Sequence, residues 1–150
     1  MSVGTVGPRW KLRERPGYLV VRLARLMSRY AEERIQPLGT GVAGYPVISA
    51  LSEGGELTQK QMTELLGVEQ SSTAQLLSRL ERDGFVTRRK DPKDARSSFI
   101  RLTEKANSAL PVISEIMDDG NDLAVQGFST QEIEQVINLL KRMLANFERY

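Results

Sequence analysis

The 150-residue chain contains neither cysteine nor histidine. Lack of cysteine excludes a disulfide framework, a thiolate metal site and a thiol-based redox sensor. Lack of histidine removes Ser-His-Asp and Cys-His nucleophilic catalysis, histidine zinc sites and histidine pH switching. No apolar run reaches the roughly 18–20 residues that span a bilayer. The opening segment MSVGTVGPRWKLRERPG has no apolar core of signal-peptide length and instead carries Arg9, Lys11, Arg13 and Arg15. The expectation is a soluble cytoplasmic protein with no membrane partner, no cofactor and no metal. With 40% hydrophobic and 27% charged residues, the chain can fold as one domain with its own core.

The formal net charge of +2 hides an uneven distribution. Residues 1–34 hold eight basic and three acidic residues, and residues 70–102 hold eight and four; the remainder hold five and twelve. Two basic segments therefore sit on an acidic body, a pattern suited to a polyanionic partner.

Punctuation by glycine, proline and capping residues divides the chain. Residues 1–15 read as an irregular basic arm. Pro16 suits a first helical turn, and Leu19, Leu23, Leu26 and Tyr30 recur at helical spacing up to Ile35, with Pro37 and Gly39 as stops. Tyr45 to Leu51 reads as a short second helix ended by Gly54 and Gly55. Thr58 with Gln61 forms a capping box, and Leu57 with Met62 the accompanying staple, so a third helix covers Gln59 to Leu66. Gly67 stops it, and a fourth helix runs from Gln70 to Asp83, ended by Gly84. Phe85 to Arg89 and Ser97 to Leu102 alternate as strands about a charged loop. Thr103 caps a long helix striped by Ala106, Leu110, Ile113 and Met117 and widened by Val112, Ile116 and Leu123, in which Pro111 should introduce a kink. Ser129 with Glu132, and Phe128 with Ile133, start a last helix carrying Val136, Ile137, Leu140, Leu144 and Phe147. The fold class expected is mainly α (α+β), a winged helix-turn-helix core with long N- and C-terminal helices.

In that order of elements the fourth helix holds the recognition position. Its outer face, Ser71, Ser72, Gln75 and Arg79, offers short polar groups and one cation to base edges and phosphates in a major groove. Any amphipathic helix has a polar outer face, and the hairpin behind it is what adds weight. Arg88, Arg89, Lys90, Lys93 and Arg96 crowd positive charge into nine residues, opposed by Asp91 and Asp94, as phosphate binding and minor-groove insertion require. Thr58, Gln59 and Lys60 stand at a helix N-terminus, where backbone N–H groups and Lys60 can meet a phosphate. No set of Asp, Glu, Lys, Ser or Tyr residues forms a catalytic constellation, so an enzyme is not expected. Asp118, Asp119, Asn121 and Asp122 lack the twelve-residue spacing and terminal glutamate of a calcium loop and read as solvated surface or a helix irregularity.

The stretch LTQKQMTELLGVEQSSTAQLLSRLERDGFVTRRKDPKDARSSFIRLTEKA resembles the DNA-binding core of the MarR family of bacterial and archaeal transcriptional regulators, and DPKDAR with the Leu102-Thr103 pair after it resembles that family's wing signature. The resemblance implies a homodimer whose terminal helices interdigitate (residues 16–36 and 103–150), and a winged lobe over residues 44–102, all within one domain of residues 1–150. It implies double-stranded DNA as partner, with two recognition helices in successive major grooves of a pseudo-palindromic operator. Asp94 would order the wing while Arg96 reaches the minor groove. Gln75 stands where many relatives have arginine, so base preference does not transfer. The wide apolar stripes of the terminal helices, too large for a winged core to cover, support dimerisation independently. The resemblance further implies a repressor more often than an activator, and a small phenolic or anionic aromatic effector. Tyr18, Arg22, Tyr30 and Tyr45 are the candidates for such a site, and Pro46 departs from the family's pattern at the start of the second helix. The peroxide-sensing branch needs a cysteine, and that route is closed. The competing reading is a winged-helix protein-interaction or architectural module without operator specificity.

Overall fold

Glycines in the left-handed region and side-chain caps divide the helices. The computed structural model describes residues 10–150. Helix α1 spans Pro16–Ile35, with Pro16 in its first turn, and a 3-10 turn over Gln36–Leu38 leads to Gly39 at φ 94°. Helix α2 spans Tyr45–Gly54, strand β1 Leu57–Thr58, α3 Gln59–Leu66 and α4 Gln70–Arg82. Between α3 and α4 lies Gly67 at φ 62°, a backbone conformation that costs glycine nothing and other residues a clash at Cβ. Strands β2 (Val86–Lys90) and β3 (Ser98–Leu102) form the wing. Helices α5 (Glu104–Ala124) and α6 (Thr130–Glu148) follow. Both capping boxes form: Thr58 accepts from the Gln61 amide and Ser129 from the Glu132 amide, each with the reciprocal side-chain bond.

The core lies where α2, α3, α4 and the sheet meet α1 and α5. Leu77 and Leu80 of α4 join Val47, Ile48, Met62, Phe85, Ile100, Ala106 and Ile113 in one fully enclosed cluster. Thr73 is buried with them and satisfies its hydroxyl on the Glu69 carbonyl, 3.2 Å away. The chain between α1 and α2 is wedged into the same packing. Val42 N–H donates to the Glu32 carboxylate at 2.7 Å, and a Cβ at Gly44 would come within 2.6 Å of Leu80 Cδ2.

The end of α4 is fixed with particular care. Phe85 N–H reaches back to Leu80 O at 2.8 Å and Gly84 N–H to Glu81 O at 3.1 Å, the pair of bonds of a Schellman motif, with Gly84 at φ 78°. Lys105 Nζ donates to Asp83 O at 2.7 Å, placing a cation at the negative end of the helix. Thr103 Oγ1 donates to Gly84 O at 2.6 Å while accepting from Ala106 N–H as the cap of α5.

Several expectations are altered. The sheet has three strands in the order β1-β3-β2, not two, because Leu57 and Thr58 pair antiparallel with Ile100 and Phe99. The same two residues serve as strand, staple and cap. In the basic arm, residues 1–9, Arg9 among them, lie outside the described residues; Leu12–Glu14 form a 3-10 turn rather than irregular chain. Two other expectations are not altered: α5 is helical on both sides of Pro111, and Asp118, Asp119, Asn121 and Asp122 lie on its exposed surface. Helix α6 buries no residue: Leu144 is 64% and Phe147 81% exposed, and Leu19, Val21, Leu23 and Leu26 of α1 are about half exposed.

Leu77→Ala should lower unfolding stability by about 2–5 kcal/mol, read as a drop in urea midpoint with little change in slope.

Candidate nucleic-acid interface

Burial of Thr73, Leu77 and Leu80 fixes the rotation of α4 and thereby turns Ser71, Ser72, Gln75 and Arg79 outward; all four are exposed. Glu69 at the N-cap gives no side-chain bond to the first helical amides, so the start of α4 is not closed by its own cap. Gln75 and Arg79 share an open groove with Ala74, Ser78 and Arg82.

The wing divides its charged residues into two sets. At its tip, Asp91 Oδ1 accepts from Lys93 N–H at 2.8 Å and Asp94 Oδ1 from Arg96 N–H at 2.9 Å. These are two side-chain-closed turns of the kind Asp favours. Asp91 N–H and Ser97 O, and Ser97 N–H and Asp94 O, close the loop at 3.0 Å each. Lys90, Lys93 and Arg96 form no side-chain hydrogen bond or ion pair among the described residues, and neither do Lys60 and Arg79.

At the base the arginines are engaged within the chain. Arg88 Nε lies 3.0 Å from Glu81 Oε2, and its Nη1 donates to Gln59 Oε1 at 3.3 Å. Arg89 meets Glu56 at 2.6 Å and lies over the Phe99 ring, its Cζ 5.1 Å from the centroid. The five cations of the hairpin thus differ in their surroundings: among the described residues Arg88 and Arg89 have carboxylate partners, and Lys90, Lys93 and Arg96 do not. At the start of α3 the Thr58 hydroxyl is occupied by its capping box and the Gln59 amide oxygen by Arg88, whereas Lys60 is exposed and has no side-chain partner among the described residues.

The hydrogen bond from Arg89 holds the Glu56 carboxyl below the ordinary carboxylate range, against a smaller opposing effect of desolvation, and Glu56 in turn raises Arg89. Sequence reading missed both Glu56 and Glu81. Glu81 was within reach, seven residues before Arg88 across a short turn. Glu56 lies 33 residues from Arg89 and is brought to it only by the β1-β3-β2 order, which requires the third strand.

The four effector candidates do not converge within the chain. Tyr18 and Arg22 line one depression on α1 with Gly17, Val21, Arg25 and Leu26. Tyr30 packs 3.4 Å from the Cβ position of Gly120 on α5, and the Arg34 guanidinium covers its ring at 3.6 Å. Tyr45 lines a third place, an apolar groove with Pro46, Ala50, Leu57 and Leu65. Pro46 leaves the start of α2 at Tyr45 intact.

Because the folded-state pKa of Glu56 is depressed, its contribution to stability is present above the unfolded value of about 4.3 and is lost as pH falls through the lower folded value. Glu56→Gln should flatten the acid limb of the stability profile below that pH and leave the neutral limb's slope unchanged, as read by thermal unfolding across a pH series.

Residues 39–97 match the family model described as the MarR family. Among solved structures, the transcriptional regulator SlyA superposes with a TM-score of 0.81 at 27% identity, covering 87% of this chain and 92% of that one. A cysteine-to-serine mutant of MarR from E. coli, complexed with operator DNA, gives 0.77 at 22% identity over 85% and 92% of the two chains. The PcaV transcriptional regulator from Streptomyces coelicolor, in complex with its natural ligand, gives 0.79 at 24% identity over 93% and 98%. Residues 39–97 thus match the model of the MarR family, and over 87% of its length the chain shares the fold of the transcriptional regulator SlyA.

Proposed function

We propose that the protein is a homodimeric, sequence-specific DNA-binding transcriptional regulator that represses by occupying its operator and is released by a small aromatic or anionic ligand. One observation carries the DNA-binding part: the exposed row Ser71, Ser72, Gln75 and Arg79 on α4 lies beside a wing whose tip presents Lys90, Lys93 and Arg96, none of them in an ion pair among the described residues. Such cations gain free energy by displacing condensed counterions from phosphate, and an arginine on a narrow loop suits a narrow minor groove. Ser71, Ser72 and Gln75 would read base edges, with Arg79 and Lys60 on phosphates. Arg88, Arg89, Thr58, Gln59 and Asp94 would shape the surface instead, since their functional atoms are already bonded.

Dimerisation follows from the apolar faces of α1 and α6. An exposed stripe of Ile137, Leu140, Leu144 and Phe147 on a helix that buries nothing costs free energy in water and is recovered by a second copy. Residues 16–36 and 103–150 would form that dimer layer, with residues 44–102 as the winged lobe. A two-fold axis presents two α4 helices to one face of a duplex.

Ligand release is supported by PcaV, whose structure holds its natural ligand. In this chain the depression at Tyr18, Arg22 and Arg25 combines an aromatic ring with two cations and suits an aromatic acid. Tyr30 and Tyr45 line other depressions of the chain. The site of action proposed is the cytoplasm, where the DNA partner lies.

Arg96→Ala should cost about 1–3 kcal/mol of DNA-binding free energy per half-site and reduce the salt slope by about one per half-site. Fluorescence anisotropy at several salt concentrations measures both, and an unchanged affinity and slope would remove the wing from the interface. Replacing Leu140 and Leu144 together by Asp should shift the sedimentation coefficient to that of a monomer. A variant that stays dimeric would place the dimer contact elsewhere.

A further inference from the structure

The wing can help read DNA only if its angle to the recognition helix is fixed, and the hairpin's own two strands do not fix it. We propose that Glu81 and Arg88 form a clamp that sets this angle, which makes Glu81 a carboxylate on the DNA-binding lobe that strengthens DNA binding. The proposal rests on the DNA-binding reading above.

Arg88 is the third residue of β2, Glu81 lies in the last turn of α4, and Gln59 is the first residue of α3. One guanidinium therefore joins three elements, through Nε to Glu81 at 3.0 Å and through Nη1 to Gln59 at 3.3 Å. Its fork is planar and rigid, so two bonds to different elements fix orientation as well as distance. On the other face of the same strand, Arg89 on Glu56 ties β2 to the turn between α2 and β1, and Phe99 opposite Arg89 in β3 supports its guanidinium. The base of the wing is held at two points. Its tip, by contrast, has only its own local turns.

The chemistry of the pair separates a clamp from a phosphate ligand. A carboxylate 3.0 Å from the Arg88 guanidinium cancels the charge that a phosphate would use, and it repels the phosphate itself. As a phosphate-binding device Glu81–Arg88 works against itself, while as a brace it supplies what is needed.

The test is a double-mutant cycle of Glu81→Ala and Arg88→Ala, with Glu81→Gln as the conservative variant. Affinity and salt slope are measured on a duplex recovered by selection, and amide hydrogen exchange of β2 and β3 on the free protein. The clamp requires Glu81→Ala to weaken binding about two- to fivefold, the scale of one partly exposed ion pair, although it deletes a negative charge. The salt slope should stay unchanged, the double variant should be no worse than either single one, and Glu81→Gln should fall between wild type and Ala. Exchange in β2 and β3 should quicken in Glu81→Ala. Tighter binding by Glu81→Ala, with Arg88→Ala lowering the slope by about one per half-site, would overturn the clamp and make Arg88 a phosphate ligand. If the wild type shows no preference for the selected duplex, the DNA reading fails, and unchanged strand exchange in Glu81→Ala separately overturns the clamp.

Discussion

The position of the DNA-facing surface depends on how Phe85 is buried. Its ring is fully enclosed at the point where α4 ends, β2 begins and α5 starts. Burying a phenyl group removes on the order of 2–3 kcal/mol worth of apolar surface from water, and the bonds around it convert that non-directional gain into a geometry. The Phe85 amide closes the end of α4 on Leu80, and the Phe85 carbonyl accepts from Thr103 N–H at 3.1 Å. Lys105 adds a bond to Asp83 O and places its ammonium 5.0 Å from the Phe85 ring centroid. Recognition helix, wing and α5 thereby share one anchor. A displacement of α5 would be felt at α4 with no flexible joint between them, which is the mechanical condition for a ligand or partner at α1 and α5 to influence DNA binding.

Around that anchor, opposite charges are distributed by role. Acids at the wing base neutralise Arg88 and Arg89 and thereby immobilise them. Acids at the tip bond backbone amides instead, and Lys93 and Arg96 form no ion pair among the described residues. Exposed ion pairs are individually worth at most about 1 kcal/mol, so the base pairs contribute orientation more than stability. The neighbouring helices add Lys60, Arg79 and Arg82 to this face, the last beside Asp83, which suits an interface made of a few cations around a polar reading row.

Much of the fold was legible because its punctuation is local. Thr58-Gln61 and Ser129-Glu132 announce helix starts within four residues, and Gly67 and Gly84 stop helices where positive φ is needed. Strand β1 was not legible, since two residues carry no alternation and Leu57 and Thr58 already had another explanation as staple and cap. The outward row of α4 could be read from its period. The division of the hairpin's cations could not, because Arg88, Arg89 and Arg96 look the same in sequence and differ only in which acid tertiary structure brings near. The ligand candidates dispersed for a geometric reason: Tyr18 and Tyr30 are twelve residues apart on α1, about 18 Å of rise, and Tyr45 belongs to the other lobe. The apolar stripe of α6 was visible from the start, and the structure sharpens it by leaving Ile137, Leu140, Leu144 and Phe147 exposed.

Uncovered helices and a basic reading head held at its base support the proposed architecture, in which two winged lobes related by a two-fold axis sit on one duplex. Selection of bound sequences from random double-stranded DNA measures this most directly. The account predicts enrichment of a two-fold-symmetric site whose half-site centres lie about 10 base pairs, one helical turn, apart. Enrichment of a single unrepeated half-site, or no enrichment at all, would contradict it.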